Sequence, residues 1–221
     1  MSILNAPWLR DARMQLIALA LIIGVNAWLT PGFLNLVWSD GRLLGSLVDI
    51  INRGAPVALL ALGMSLVIAT RGVDLSVGAV MAIAGAAAAW AINADLGWPA
   101  AIAIGLAAGA ICGLWNGILV AVLNIQPIVA TLILMVAGRG VAQLITDGRI
   151  LTFVDPHFSA LGSGAFLGLP IPALLALVIA ALFVFLFRAS ALGLFVEAIG
   201  VNPRASWLAG VDTKFVLISV Y

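Results

Sequence analysis

From Trp98 to Leu123 the chain carries no charged side chain, and the stretches 14–29, 48–69, 75–93, 127–146 and 171–187 are nearly as apolar. Each is close to the roughly 20 residues that a helix needs to cross the hydrocarbon of a bilayer. Helices suit that solvent because they satisfy their own backbone hydrogen bonds where water is absent. Composition closes the alternatives: 64% of the 221 residues are hydrophobic and only 9% charged, against about 25% charged in a soluble domain. The sequence therefore predicts an all-α, polytopic transmembrane helix bundle forming one domain over 1–221, with about six complete spans and the start of a seventh. The closing FVLISVY covers about 10 Å of helix, which reads as a span begun and left incomplete.

The second stretch is informative because its purely apolar part, Val57–Ala69, is too short to cross. It spans only if the helix starts earlier and runs through Pro56, where a kink is expected. Asp49 and Arg53 then lie one turn apart, at the spacing of an i,i+4 pair. Arg10 and Arg13 before the first stretch resemble the start of a signal peptide, but no small-x-small cleavage site follows, so an uncleaved first span is expected. With the N-terminus cytoplasmic, Arg10, Arg13, Arg71, Arg188, Arg204 and Lys214 fall inside, and Arg42, Arg53 and Arg149 outside. Trp28, Trp90 and Trp98 then mark outer interfaces, as an aromatic belt requires.

A formal net charge of +1 gives no basic field, so nucleic acid is not an expected partner. One cysteine, Cys112, cannot form an intrachain disulfide, and one histidine, His157, leaves no metal-ligand cluster, so no metal site is expected. No G-x-x-x-x-G-K-S/T run is present to cradle a nucleotide phosphate. Asp147, Asp155 and His157 share the long outer loop 147–172, whose length suits either a docking surface or a plain connector.

Four features could carry function. Gly105, Gly109, Gly113 and Gly117 recur every fourth residue, a smooth helix stripe for packing against another backbone, static or moving. Arg139 lies within a span; it snorkels, pairs, or lines a translocation path, and its replacement by alanine is expected to impair transport without preventing insertion. Between Ala189 and Asp212, Asn202 suits a helix N-cap, Pro203 the first helical position and Gly210 the stop. A short helix, Pro203–Ala209, is expected there, either transmitting force from a soluble partner or resting on lipid headgroups. In ATRGVDLSVGAV, residues 69–80, Asp74 reads as the cap of the third span, while Gly72 and Gly78 permit close backbone approach. That turn is either a capped hairpin at the membrane surface or a break at membrane depth facing a solute path. Asp74, Ser76, Asn116, Gln126, Thr131, Arg139 and Gln143 are the polar candidates for such a path.

Three blocks, GVDLSVGAVMAIAGA, QPIVATLILMVAGRGVAQLITDG and LGLFVEAIGVNPRASWLAGVD, occur in this order. Together they resemble the membrane subunits of bacterial ribose-type ABC sugar importers. Within that family GRLLGSLVDIINRGAPVALLALGMSLVIAT brings the chain nearest to galactofuranose importer permeases, with ribose- or xylose-type permeases as the alternative. The resemblance runs from about residue 40 to the end and implies an inner-membrane permease working by alternating access. Its implied partners are a cytoplasmic ABC ATPase dimer that binds the ATP, a periplasmic sugar-binding protein, and a second, paralogous permease. The chain itself would be neither an enzyme nor a cofactor binder. The ATPase-coupling residues implied are Glu197, Gly200, Asn202, Pro203, Arg204, Trp207 and Gly210, within the cytoplasmic segment 189–212. Two departures stand out: family members continue beyond Tyr221 with further spans, and many carry a small residue in place of Arg71. A secondary transporter would need ionisable residues for ion coupling at membrane depth, where Arg139 alone qualifies clearly; a non-transporting assembly fragment is the other rival.

Overall fold

The computed structural model describes residues 12–39 and 41–221. Arg10, read above as a topology charge, lies outside them. The elements run α1 (Arg13–Leu29), β1 (Val37–Ser39), β2 (Arg42–Leu44), α2 (Ser46–Ala69), α3 (Val77–Asn93), α4 (Trp98–Ala121), α5 (Pro127–Ile145), α6 (Pro156–Ser163), β3 (Ala165–Phe166), β4 (Leu169–Pro170), α7 (Ile171–Ala189), α8 (Ala191–Val201), α9 (Pro203–Leu208) and α10 (Thr213–Val220). The protein is mostly helical. Four helices, α2, α4, α5 and α7, are long and apolar enough to cross a membrane, while α1, α3 and α8 are shorter apolar helices. The helical bundle expected from the sequence is present, with one addition. Two small antiparallel hairpins are present, β1–β2 with Val37 opposite Leu44 and β3–β4 with Ala165 opposite Pro170.

α2 begins at Ser46 and continues through Pro56 as one helix. The missing proline N–H is one a membrane helix tolerates where neighbouring groups compensate. Asp49 and Arg53 do not form the ion pair their spacing allowed. α1 buries none of its residues.

The bundle is built on small side chains. α3 buries Ala79, Ile83, Ala87, Ala88 and Ala91, and packs between α4 and α5. A Cβ at Gly138 of α5 would sit 2.9 Å from the Ala79 Cβ, and one at Gly105 of α4 would sit 3.3 Å from the Ala84 carbonyl. In a bilayer, where lipid tails are as apolar as leucine, such close backbone approach supplies the packing that hydrophobicity cannot.

Three buried clusters mark the length of the molecule. Ala88, Ala91 and Ala101 lie at one end, with Phe158 of α6 packed over them; Ile83, Cys112 and Leu134 lie midway. Val67, Val196, Ile199, Val216 and Val220 lie at the other. The long loop is therefore structured. Asp155 caps α6 by accepting from the Phe158 N–H at 2.8 Å, and the Leu43 N–H donates to the Gly168 carbonyl, joining the two hairpins. Residues 30–39, 41–45, 94–97 and 146–170 form one end of the bundle, and the turn 70–76 with the segment 190–212 forms the other.

Candidate functional site

At that second end α2 stops in a way that α3 and α5 repeat at the opposite end. α2 closes with Gly72 N–H to Val67 C=O and Arg71 N–H to Ile68 C=O, the paired bonds of a Schellman ending. The same pair recurs at Asp95 after α3 and at Asp147 after α5. The residue after the cap must take positive φ, and here it is Arg71 at 60°, where glycine is usual. The turn this creates feeds 72–76 back into the bundle. Gly72 is needed because a Cβ there would come within 2.5 Å of the Tyr221 hydroxyl and 3.0 Å of the Val67 carbonyl.

The polar residues of the turn meet partners from two other helices. Asp74 Oδ1 accepts from the Ser76 N–H at 2.7 Å and from the Ser76 hydroxyl at 2.6 Å. Its carboxylate thus serves the start of α3 as the sequence suggests, although the capping position itself is Ser76. Asn116 of α4 donates from Nδ2 to Ser76 Oγ at 2.8 Å. The single Ser76 hydroxyl proton is already given to Asp74, so only the amide nitrogen of Asn116 can face it. Thr131 of α5 accepts from the Leu75 N–H at 3.1 Å and donates within its own helix to the Pro127 carbonyl at 2.9 Å.

Ser76 and Thr131 are fully buried and Asn116 is 1% exposed. Buried groups of this kind are normally paired, yet Asn116 Oδ1 and the Tyr221 hydroxyl have no partner among the described residues. Both residues line a cavity of about 270 Å³, along with Asp74, Met64, Gly109 and Gly113. An acceptor, a carboxylate and a phenol converging on an otherwise apolar cavity can bind hydroxyl groups.

Asp74, Ser76, Asn116 and Thr131 are thus brought together, whereas Gln126, Arg139 and Gln143 stand apart and exposed. Arg139 has neither a hydrogen bond nor an ion pair among the described residues. The glycine stripe divides between neighbours. Gly105 lies against α3, Gly113 against the Tyr221 backbone and Gly117 against Ile218, but a Cβ at Gly109 would meet nothing within 4 Å. Gly78 likewise has open space rather than the close approach expected.

Below the turn, α9 is fixed at both ends. Asn202 Oδ1 accepts from the Ala205 N–H at 3.0 Å, with Pro203 in the first turn. Gly210, at φ 90°, closes it with the Val211 N–H on Ser206 C=O and its own N–H on Trp207 C=O. The helix ends one residue earlier than expected, at Leu208. Arg204, Trp207 and Leu208 are exposed, as is Glu197 of α8, and Gly200 is half-buried. Sequence reasoning missed Tyr221 as a cavity residue and Arg71 as a contact, because both act on residues distant in the chain.

A family described as the branched-chain amino acid transport system / permease component matches residues 46–221. The chain is similar to the galactofuranose transporter permease protein YtfT of Escherichia coli strain K12, 56% identical over 94% of this chain and 61% of that protein. It is 38% identical to the fructose import permease protein FruF of Bifidobacterium longum, over 94% of this chain and 60% of that one. To the ribose import permease protein RbsC of Escherichia coli strain K12 it is 32% identical, over 97% and 65%. The chain therefore spans about three-fifths of the length of these relatives. No solved structure matches it.

Proposed function

Because the chain belongs to this permease-component family, we propose that it is membrane-spanning permease material of an ATP-driven sugar importer, taking galactofuranose or a related monosaccharide. The observation that carries this reading is its similarity to permeases named for importing three different sugars, strongest for galactofuranose. In this reading α1–α5 and α7 make six crossings of a bacterial inner membrane, α10 begins a seventh, and the N-terminus is cytoplasmic. The whole is one permease domain. It pairs with a second, paralogous permease, receives sugar from a periplasmic binding protein, and is driven by a cytoplasmic ATPase that binds the nucleotide.

The residues divide into two working sets. Asp74, Ser76, Asn116 and Thr131 support a translocation path, since Asp74 and Asn116 line a cavity, Ser76 and Thr131 bond to their turn from behind it, and the Asn116 oxygen is left as an acceptor for sugar hydroxyls. Residues 189–212 support the coupling segment: α9 is short, capped at both ends, and presents Arg204, Trp207 and Leu208 outward. A rigid element of this kind passes on a push from a soluble partner that a flexible loop would absorb. Alternating access then follows as a shift between inward- and outward-open populations, biased by ATP in the partner.

The test is uptake of labelled galactofuranose into vesicles containing the assembled transporter, with and without ATP. ATP-dependent uptake, competed less well by ribose or fructose, is the expected result; ATP-independent uptake would replace the reading with a secondary transporter. Replacing Asn202–Arg204 by a Gly-Ser linker should leave ATP hydrolysis running without transport. Undiminished transport would remove the coupling role of α9.

A further inference from the structure

Beside the apolar cluster of Val67, Val196 and Ile199, the coupling segment meets the turn that leads to Asp74 at the junction of residues 69–71 with 200–201. Arg71 donates from Nη2 to the Val201 carbonyl at 3.0 Å. Val201 is the last residue of α8, and Asn202 after it is the cap of α9. The final carbonyls of a helix lack partners within it and carry the negative end of its dipole, so a guanidinium is well matched to that position. One residue earlier, Gly200 packs against the Ala69 carbonyl so closely that no Cβ could be accommodated without movement. Backbone thus meets backbone at 69 and 200, and a charged side chain meets backbone at 71 and 201.

The backbone at Arg71 makes this contact more pointed. With φ at 60° in the Schellman position, a glycine would fit with less strain than an arginine. The residue that stands there instead carries a side chain spanning to the coupling segment. Three residues further on, Asp74 enters the network that reaches Ser76 and Asn116, and Leu75 is tied to Thr131. The short turn is therefore held on one side by the start of α9 and on the other by the polar cluster at the cavity.

We propose that Arg71 is a positioning residue that clasps the coupling segment to the Asp74 turn, so that displacement of α9 reaches the cavity-lining cluster through Val201 and Arg71. The inference rests on the importer reading and adds to it a specific joint between driver and path. Arg71 touches neither sugar nor nucleotide in this role. It acts through the Val201 carbonyl.

Two variants isolate the clasp. R71G removes the guanidinium while suiting the left-handed backbone, so the fold is kept; R71K keeps a charged donor. The measurement is sugar transported per ATP hydrolysed, in vesicles containing the assembled transporter. R71G should lower that ratio about two- to thirty-fold, the span of effects seen when coupling between sites is perturbed, and R71K should recover most of it. A ratio in R71G equal to that of the wild type overturns the clasp, as does an R71K ratio as low as that of R71G. ATP-independent uptake by the wild type overturns the importer reading itself, and the clasp with it, so the two failures are told apart by the unmodified protein.

Discussion

Asn116 and Arg139 are both polar residues inside long apolar helices, yet they end in opposite surroundings. Asn116 is buried on α4, bonded to Ser76 and bordering a cavity. Arg139 is exposed on α5, next to a glycine that packs closely on Ala79. Insertion cost ranks arginine as the stronger functional signal, but the partners belong to the asparagine. A long cationic side chain on an outward flank can reach an interface. A short amide at a helix crossing has no such escape and must be met by its neighbours. The difference teaches that the informative polar residue is the one that cannot leave.

The comparison is open to attack, beginning with its strongest point. Asp74→Leu removes the acceptor of two hydrogen bonds and strands the Ser76 N–H and hydroxyl, each worth about 1–3 kcal/mol when left unpaired. Uptake should be abolished, and detergent-solubilised protein should melt at a clearly lower temperature. Retained uptake would take the turn out of the path. Asn116→Leu should separate function from stability. It loses one hydrogen bond but also removes an orphaned buried oxygen, so folding should shift by no more than about 1 kcal/mol. Uptake should nevertheless fall by more than about tenfold, the equivalent of about 1.4 kcal/mol at the transport step. Normal uptake in that variant would make the asparagine a packing residue.

Thr131→Val is a milder probe, because it keeps the side-chain shape and leaves only the Leu75 N–H without its acceptor. A loss of about 1 kcal/mol in thermal or denaturant unfolding is expected, with partial loss of uptake. Arg139→Ala should be the smallest effect. Away from packed or bonded features substitutions stay within about 0.5 kcal/mol, and insertion assayed by membrane fractionation should be unchanged. A large loss of uptake in Arg139→Ala would reverse the comparison and return the arginine to the translocation path.

The capped helix at 203–208 was legible residue by residue. Asn202, Pro203 and Gly210 act within a few positions of each other, and the cap bond and the closing bonds form where those residue types put them. The helical stretches were legible for a related reason, since a long apolar run has few other folded forms in lipid. The hairpins at 37–44 and 165–170 were not foreseen. Their strands are two or three residues long and lean on each other through the Leu43–Gly168 bond, which no local pattern announces.

The glycines make the same point within one motif. Gly105, Gly109, Gly113 and Gly117 look equivalent in sequence, yet they face α3, a cavity and α10 in turn. Gly72 and Gly78, paired in one reading of the turn, differ as much: one sits under Tyr221 and the other borders open space. Spacing specifies a helix face. Which neighbour occupies that face depends on how the helices cross.

The sequence by itself determined that this chain folds as apolar helices, where α9 starts and, to within a residue, where it stops, and which residues were available for polar work. Those are consequences of solvent, backbone hydrogen bonding and capping, all local in the chain. Only the tertiary structure decided that Asp74, Ser76, Asn116 and Thr131 share one cluster, that Arg139 does not join it, and that Arg71 reaches Val201. Those contacts link residues separated by up to 130 positions, and a directional hydrogen bond exists only once packing has fixed both of its ends.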